Sequence, residues 1–149
     1  MHANFLIKNT PIWTIITRKM QQVHAKKQSC DTVRAKKFLG QHFLTDLSVA
    51  QKIAETVPAG RTIEIGPGMG VLTQFLLKNT TIALTAIEID RESVAYLKEW
   101  YPELNLVEGD FLKIDLDQLI PEGEFNVIGN YPYNISSQIF FKVLDYKDR

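Results

Sequence analysis

The sequence predicts an α/β protein with a doubly wound, parallel sheet that helices cover on both faces. Two observations support this fold class. Short apolar segments of strand-like composition alternate along the chain with segments whose apolar residues recur at helical spacing. The strand-like segments also end in glycine-rich or acidic turns. This alternation is typical of parallel sheets buried between two helical layers.

The regular part of the chain begins near Thr45. Asp46 has the side chain of an N-cap, because its carboxylate can accept hydrogen bonds from the first free N–H groups of a helix. The apolar spacing then predicts, in chain order, a helix over 46–57, a strand over 62–65, a helix over 71–78, a strand over 82–89, a helix over 91–100, strands over 104–108 and 125–129, and a helix over 135–144.

The fourth predicted strand would lie at an open edge of this sheet, and the sequence ends directly after the helix that follows it. Exposed apolar edges favour aggregation, so proteins usually pair or cover them. We therefore expect the sequence to be a fragment, with its fold truncated after the fourth strand and the following helix.

The composition fits a soluble globular domain, with 45% hydrophobic and 23% charged residues in a chain of 149. Seventeen basic and seventeen acidic side chains cancel, which argues against a uniformly basic nucleic-acid binder. The single cysteine, Cys30, cannot form an internal disulfide, and no apolar run approaches the roughly 20 residues that span a bilayer. We expect a cytoplasmic protein without membrane contact.

The charge is unevenly distributed along the chain. Residues 1–37 contain eight basic residues and one acidic residue, a net charge of +7, while residues 38–149 carry −7. We expect residues 1–33 to be a basic, solvated extension, and a polyanionic partner is the alternative explanation of its charge. We favour the interpretation that translation begins at Met20, so that residues 1–19 are an artefact of gene prediction, over the interpretation that they form a transit peptide. A secretory signal would need a continuous apolar core.

The strongest local motif is the turn from Glu64 to Gly70, between a predicted strand and a helix. Its glycines have the spacing G-x-G-x-G, at positions 66, 68 and 70. The G-x-G-x-x-G turn that binds a dinucleotide would need a third glycine at Val71. An acidic residue before the turn suits a ligand with an ammonium and a sulfonium better than one with phosphates. The pattern is typical of S-adenosylmethionine-dependent methyltransferases, and a tight strand-to-helix connection is the alternative.

Acidic residues also follow the second and third predicted strands. Ligands of open α/β sheets bind beyond the carboxyl ends of the strands. Glu88 is therefore predicted to accept hydrogen bonds from both ribose hydroxyls of a cofactor, and Asp110 from its adenine amino group. Asp90 is assigned to capping of the next helix. A turn or cap is the alternative role for Asp110.

The fourth strand ends in the segment Asn130–Tyr133, which has a specific chemical use. The exocyclic amine of a nucleobase is a poor nucleophile, because its lone pair is delocalised into the ring. The Asn130 side-chain carbonyl, with the backbone carbonyl of Tyr131 or Pro132, can accept both N–H bonds and direct the lone pair at a methyl donor. Tyr133 offers a face for stacking of a flipped base. No metal or strong general base is needed.

Five motifs in order resemble the ribosomal RNA adenine N6-dimethyltransferase family. They are the segments 36–44, Glu64–Gly70, Glu88–Asp90, Gly109–Asp110 and Asn130–Ser136. The resemblance implies a Rossmann-like class I methyltransferase fold with S-adenosyl-L-methionine as cofactor. It also implies dimethylation of two adjacent adenosines near the 3′ end of small-subunit ribosomal RNA, within the immature small subunit, by a monomer.

The resemblance covers about residues 34–149, which would be an incomplete catalytic domain because the family continues through further strands and a helical domain. Two residues depart from the family pattern: His42 replaces an asparagine, and Tyr131 replaces an aliphatic residue. The residues expected to bind the cofactor are His42, Leu44, Glu64, Gly66, Gly68, Gly70, Glu88, Asp110 and Asn130, and those expected to act in catalysis are Asn130, Pro132 and Tyr133.

Three other functions remain open at this point. One is a large-subunit adenine methylase that confers macrolide resistance, with the same chemistry on another RNA. A second is a non-catalytic RNA-binding fragment, although an intact Asn130–Tyr133 segment argues against it. A nicotinamide dehydrogenase is disfavoured by Val71.

Overall fold

The computed structural model describes residues 46–148 and confirms the α/β fold with a parallel sheet. The four strands are β1 (Gly60–Ile65), β2 (Ile82–Glu88), β3 (Asn105–Glu108) and β4 (Asn126–Gly129). All pairs are parallel, and the spatial order is β3-β2-β1-β4. The helices are α1 (Leu47–Ala54), α2 (Thr73–Leu76), α3 (Arg91–Trp100), α4 (Leu116–Leu119) and α5 (Tyr133–Leu144).

Helices cover both faces of the sheet, as the doubly wound prediction requires. Side chains alternate along β1, so Ile63 and Ile65 pack in one cluster with residues of α4 and α5. On the other face, Ile128 of β4 packs against α1 and α2. Ala86 of β2 forms a third cluster with Leu97 of α3. The inner part of β1 is thus buried on both sides, with Ile63 and Ile65 on one face and the polar Thr62 and Glu64 on the other.

The first two helices are shorter than predicted. Asp46 caps α1 as expected, with its carboxylate accepting from the amides of Ser48 and Val49, but the helix ends at Ala54. The predicted helix over 71–78 is reduced to α2, because Gly70 has a left-handed backbone (φ +74°) and the glycine turn extends further into the segment.

The last part of the chain differs in two details. Helix α4 was missed, although Asp115 caps it by accepting from the Asp117 amide. Helix α5 begins at Tyr133 rather than at residue 135, because Pro132 is its N-cap and its carbonyl accepts from the Ile135 amide. As predicted, β4 lies at an edge of the sheet. None of the helices between residues 46 and 148 combines the length and apolar character needed to cross a bilayer.

The cap of α3 offers a test of the fold. Asp90 is buried and accepts hydrogen bonds from the Ser93 amide at 3.1 Å and the Ser93 hydroxyl at 3.0 Å. Asp90→Ala should lower the free energy of unfolding in urea by about 1 to 2 kcal/mol, because the first turn loses its acceptor. Asp90→Asn keeps an acceptor and serves as the control. Equal losses in the two variants would contradict the capping role.

Candidate active site

A cavity of about 290 Å³ opens beyond the carboxyl ends of all four strands. Its walls come from the turns after β1, β2, β3 and β4, which contribute Gly66, Ile89, Gly109 and Asn130 respectively. The strand order changes direction here, since β2 and β3 lie on one side of β1 and β4 lies on the other. Open α/β sheets bind their ligands at this kind of switch point.

The glycine turn forms one wall of the cavity. Gly66 and Gly68 have φ values of +64° and +57° and line the cavity, so a ligand can approach their main chain closely. Gly70 is not among the residues that line it. A Cβ at this position would lie 2.5 Å from the Tyr101 ring, so here the glycine makes room for protein packing.

Glu88 ties the glycine turn to the end of β2. One carboxylate oxygen accepts from the Gly68 amide at 2.9 Å, and the other accepts from the amides of Ile89 and Asp90, each at 2.9 Å. Burial raises the pKa of Glu88, and these three hydrogen bonds oppose that shift. The side chain lines the cavity with acceptor capacity left over, since a carboxylate offers about four lone-pair sites.

Glu64 lies deeper in the same wall and is 1% exposed. Its carboxyl accepts a hydrogen bond from the Thr73 hydroxyl at 2.8 Å. Burial raises the pKa of Glu64 to about 8, the Thr73 hydrogen bond opposes this shift, and the nearby Glu88 adds to it. Thr73 is a site residue that the sequence reasoning missed; its position at the start of α2, nine residues after Glu64, carried no local signal.

The two other acidic residues, Asp110 and Asp90, both accept hydrogen bonds within the turns in which they lie. Asp110 lines the cavity after β3, and its carboxylate accepts from the Leu112 amide at 3.0 Å. Both a turn role and a ligand role therefore remain available to it. Asp90 caps α3 as predicted, and the capping bonds occupy its carboxylate.

The segment after β4 contributes three residues to the cavity, namely Asn130, Tyr131 and Pro132. The Pro132 carbonyl accepts from the Ile135 amide and the Ser136 hydroxyl, so it already has two partners within α5. The Tyr131 carbonyl is therefore the better second acceptor beside the Asn130 side chain. Tyr133 is 56% exposed and is not among the lining residues, so the structure places it outside the cavity wall.

The walls of the cavity are acidic and apolar. Three carboxylates line it, from Glu64, Glu88 and Asp110, and none of its lining residues within 46–148 is lysine or arginine. The apolar part includes Phe111 and Leu112, which sequence reasoning overlooked although they directly follow the Gly-Asp turn. The two predicted contacts His42 and Leu44 lie outside the described residues.

Comparison with known proteins identifies close relatives. A sequence model of the family described as ribosomal RNA adenine dimethylase matches residues 32–149. The proteins named ribosomal RNA small subunit methyltransferase A from Parabacteroides distasonis and Bacteroides fragilis are each 60% identical to the chain, over 122 and 121 residues. These matches cover 78% of this chain, but only 45% and 44% of the relatives. The chain thus spans about half the length of the curated relatives it matches.

Two solved structures share the fold. A dimethyladenosine transferase from Plasmodium falciparum is 29% identical with a TM-score of 0.53, over 70% of this chain and 38% of its own. A candidate RNA methyltransferase from Pyrococcus horikoshii is 20% identical with a TM-score of 0.56, over 74% of this chain and 60% of its own. The likeness confirms the Rossmann-like methyltransferase fold that the sequence predicts.

The buried Glu64 carboxyl makes stability depend on pH. Its pKa rises from the ordinary 4.5 to about 8, so the folded chain keeps a proton that the unfolded chain releases. The stabilisation is complete below pH 4.5 and is lost as the pH rises to about 8, so the free energy of unfolding should fall across this interval. Glu64→Gln should flatten the decline measured by urea unfolding at pH 5 and pH 8. The raised pKa of Glu88 leaves a remaining slope.

The exposed Glu103 provides the control, since Glu103→Gln should retain the full pH dependence of the unaltered chain. If the Glu64→Gln variant keeps the same slope as that control, Glu64 does not hold a proton in the folded state.

Tyr131 carries a buried hydroxyl that has no hydrogen-bond partner among the described residues. Tyr131→Phe removes this oxygen and retains the ring, so the free energy of unfolding should stay the same or rise by up to about 1 kcal/mol. Tyr101→Phe, which removes a hydroxyl that donates to the Gly70 carbonyl, should give no such gain. A loss of stability in Tyr131→Phe would reveal a partner for the hydroxyl.

Proposed function

Since the chain belongs to the ribosomal RNA adenine dimethylase family, we propose that residues 34–149 carry part of the catalytic domain of an rRNA adenine N6-dimethyltransferase. The substrate is small-subunit ribosomal RNA, as the names of the relatives indicate. The enzyme acts as a monomer on two adjacent adenosines near the 3′ end, in the immature small subunit and therefore in the cytoplasm. Residues 1–33 form a basic extension to this domain and lie outside the described residues.

One observation carries the choice of cofactor, namely the charge of the cavity walls. Three carboxylates and no basic side chain line the cavity in the described part of the chain. Such walls lack the basic side chains that would bind a pyrophosphate, and a bound sulfonium or ammonium would favour release of the proton that Glu64 holds in the folded chain, so they fit S-adenosyl-L-methionine. When bound, this cofactor supplies an electrophilic methyl group.

The residues that would hold the cofactor are distributed over three strand ends. The main chain at Gly66 and Gly68 would lie against it, because both residues line the cavity and neither has a side chain. Glu88 would accept from the ribose hydroxyls with its remaining lone pairs, and Asp110 from the adenine amine. Glu64 would face the positive end of the cofactor.

The turn after β4 would bind and orient the target amine. Asn130 and the Tyr131 carbonyl would accept the two N–H bonds of the adenine amine. This orients the nitrogen lone pair towards the cavity and favours a tetrahedral nitrogen. Pro132 fixes the turn with φ −60° and aims its own carbonyl into α5. Tyr133, more than half exposed beside this turn, would stack on the flipped base.

Asn130→Ala tests this assignment on the complete gene product. Methyl transfer from labelled S-adenosylmethionine to immature small subunits should fall at least about 100-fold in kcat/KM, because the amine loses its main acceptor. Cofactor affinity, measured by calorimetry, should stay within about threefold. Asn105→Ala is the control, since Asn105 is exposed at the start of β3, away from the strand ends that form the cavity, and its side chain donates to the Thr85 hydroxyl.

An Asn130→Ala variant with undiminished transfer would remove this residue from the mechanism, and an unaltered protein that fails to bind S-adenosylmethionine would overturn the cofactor. Mapping of the methylated adenosines separates the targets. Modification of large-subunit RNA alone would favour the macrolide-resistance alternative.

A further inference from the structure

Lys142 of α5 makes an unusual set of contacts with the turn that follows β3. Its ammonium donates to the Phe111 carbonyl at 2.7 Å and also to the Ile114 carbonyl. It lies 5.2 Å from the centre of the Phe111 ring, within the range of a cation–π contact. A single side chain from a helix thus binds both ends of a turn that lies 28 to 31 residues earlier in the sequence.

The turn held in this way forms part of the cavity wall. Asp110, Phe111 and Leu112 line the cavity, and the Asp110 carbonyl accepts from the Lys113 and Ile114 amides. Those bonds shape the turn internally but do not fix its position relative to the helices. The bonds from Lys142 do so, and bonds from a charged donor are stronger than neutral ones.

The charges around Lys142 fit a fixed structural cation. Burial lowers the pKa of Lys142, while the carboxylates of Asp110 and Asp115 oppose that shift. Lys113 forms an ion pair within this turn, with 3.6 Å between its ammonium and the Asp110 carboxylate, but its side chain is 84% exposed. Exposed pairs of this kind contribute little, so of these two lysines Lys142 is the better placed to hold the turn.

We propose that Lys142 is a positioning residue that fixes the 110–114 turn against α5 and thereby sets where the Asp110 carboxylate meets the base of the cofactor. This inference rests on the proposed function, in which Asp110 accepts from the adenine amine. It also gives α5 two roles, because the same helix begins directly after the Asn130 turn that would hold the target amine.

The test compares two ligands that differ only in the amine of the base. Calorimetry would measure the binding of S-adenosylhomocysteine and of its 6-deamino analogue, in which a hydrogen replaces the amine of the purine. Lys142→Met should weaken the adenosyl ligand about tenfold and change the deamino ligand less than about twofold, because only the former can donate an N–H to the positioned carboxylate. Lys142→Arg, which keeps the charge and the donors, should restore most of the adenosyl affinity.

Lys113→Met is the matched control, since it removes a charge beside Asp110 but no bond to a main-chain carbonyl. Both ligands should bind to it within about twofold of the unaltered chain. Amide hydrogen exchange gives a readout that needs no ligand. The Leu112 amide, which donates to Asp110, should exchange faster in Lys142→Met than in Lys113→Met, with the exchange of Ile63 unchanged.

The outcomes are distinct. If Lys142→Met leaves the affinity for the adenosyl ligand unchanged, or weakens both ligands equally, the positioning role is wrong. If the unaltered chain binds neither ligand, the proposed function fails and the inference fails with it. Should Lys142→Met not fold, Lys142→Gln, which keeps a neutral donor, takes its place with the same expected direction.

Discussion

The cavity depends on one buried carboxylate. Glu88, 3% exposed, accepts from three main-chain amides, one in the glycine turn and two at the end of its own strand. Without it the buried amides of Gly68 and Asp90 would lose their acceptor, at about 1 to 3 kcal/mol for each. The Gly68 bond joins residues that are 20 positions apart and ties the glycine turn to the end of β2, in addition to the main-chain pairing of β1 with β2.

The sequence is most informative where a residue acts on its own neighbours. Asp46 and Asp90 cap helices that begin within the next few residues, so local chemistry alone was enough to predict them. The residues at the strand ends could be predicted equally well, because a parallel sheet brings the carboxyl ends of all its strands to one edge. That rule predicts a common site for Glu88, Asp110 and Asn130, and all three line the cavity.

What could not be predicted depends on contacts between distant segments. Thr73 contacts Glu64, and Lys142 contacts the 110–114 turn, only after the sheet and its helices have packed. No periodicity encodes such pairs, since each residue type is ordinary for its own helix. The predicted helix boundaries were wrong for a related reason. Helix α2 is short because tertiary contacts, including that of Gly70 with Tyr101, hold the glycine turn in front of it. Propensity describes a segment by itself, and packing overrides it.

The acidic cavity has a consequence for an enzyme proposed to act on RNA. Phosphates of the RNA backbone are repelled by carboxylates, so the cavity admits a neutral base more readily than the strand that carries it. Residues 38–149 carry a net charge of −7, whereas residues 1–37 carry +7. The surplus of basic side chains thus lies outside the part of the sequence that forms the cavity. A flipped base suits an acidic cavity, because flipping separates a base from its phosphates.

The contact between Gly70 and Tyr101 limits which amino-acid substitutions this sequence can accept during evolution. The Tyr101 ring occupies the space that any side chain at position 70 would need, and the backbone there has a φ of +74°. A side chain at position 70 therefore requires that the Tyr101 ring move aside or that position 101 become smaller, and asparagine or aspartate would tolerate the left-handed conformation best. The two positions should therefore be epistatic. Their histories would be coupled although 31 positions separate them in the chain.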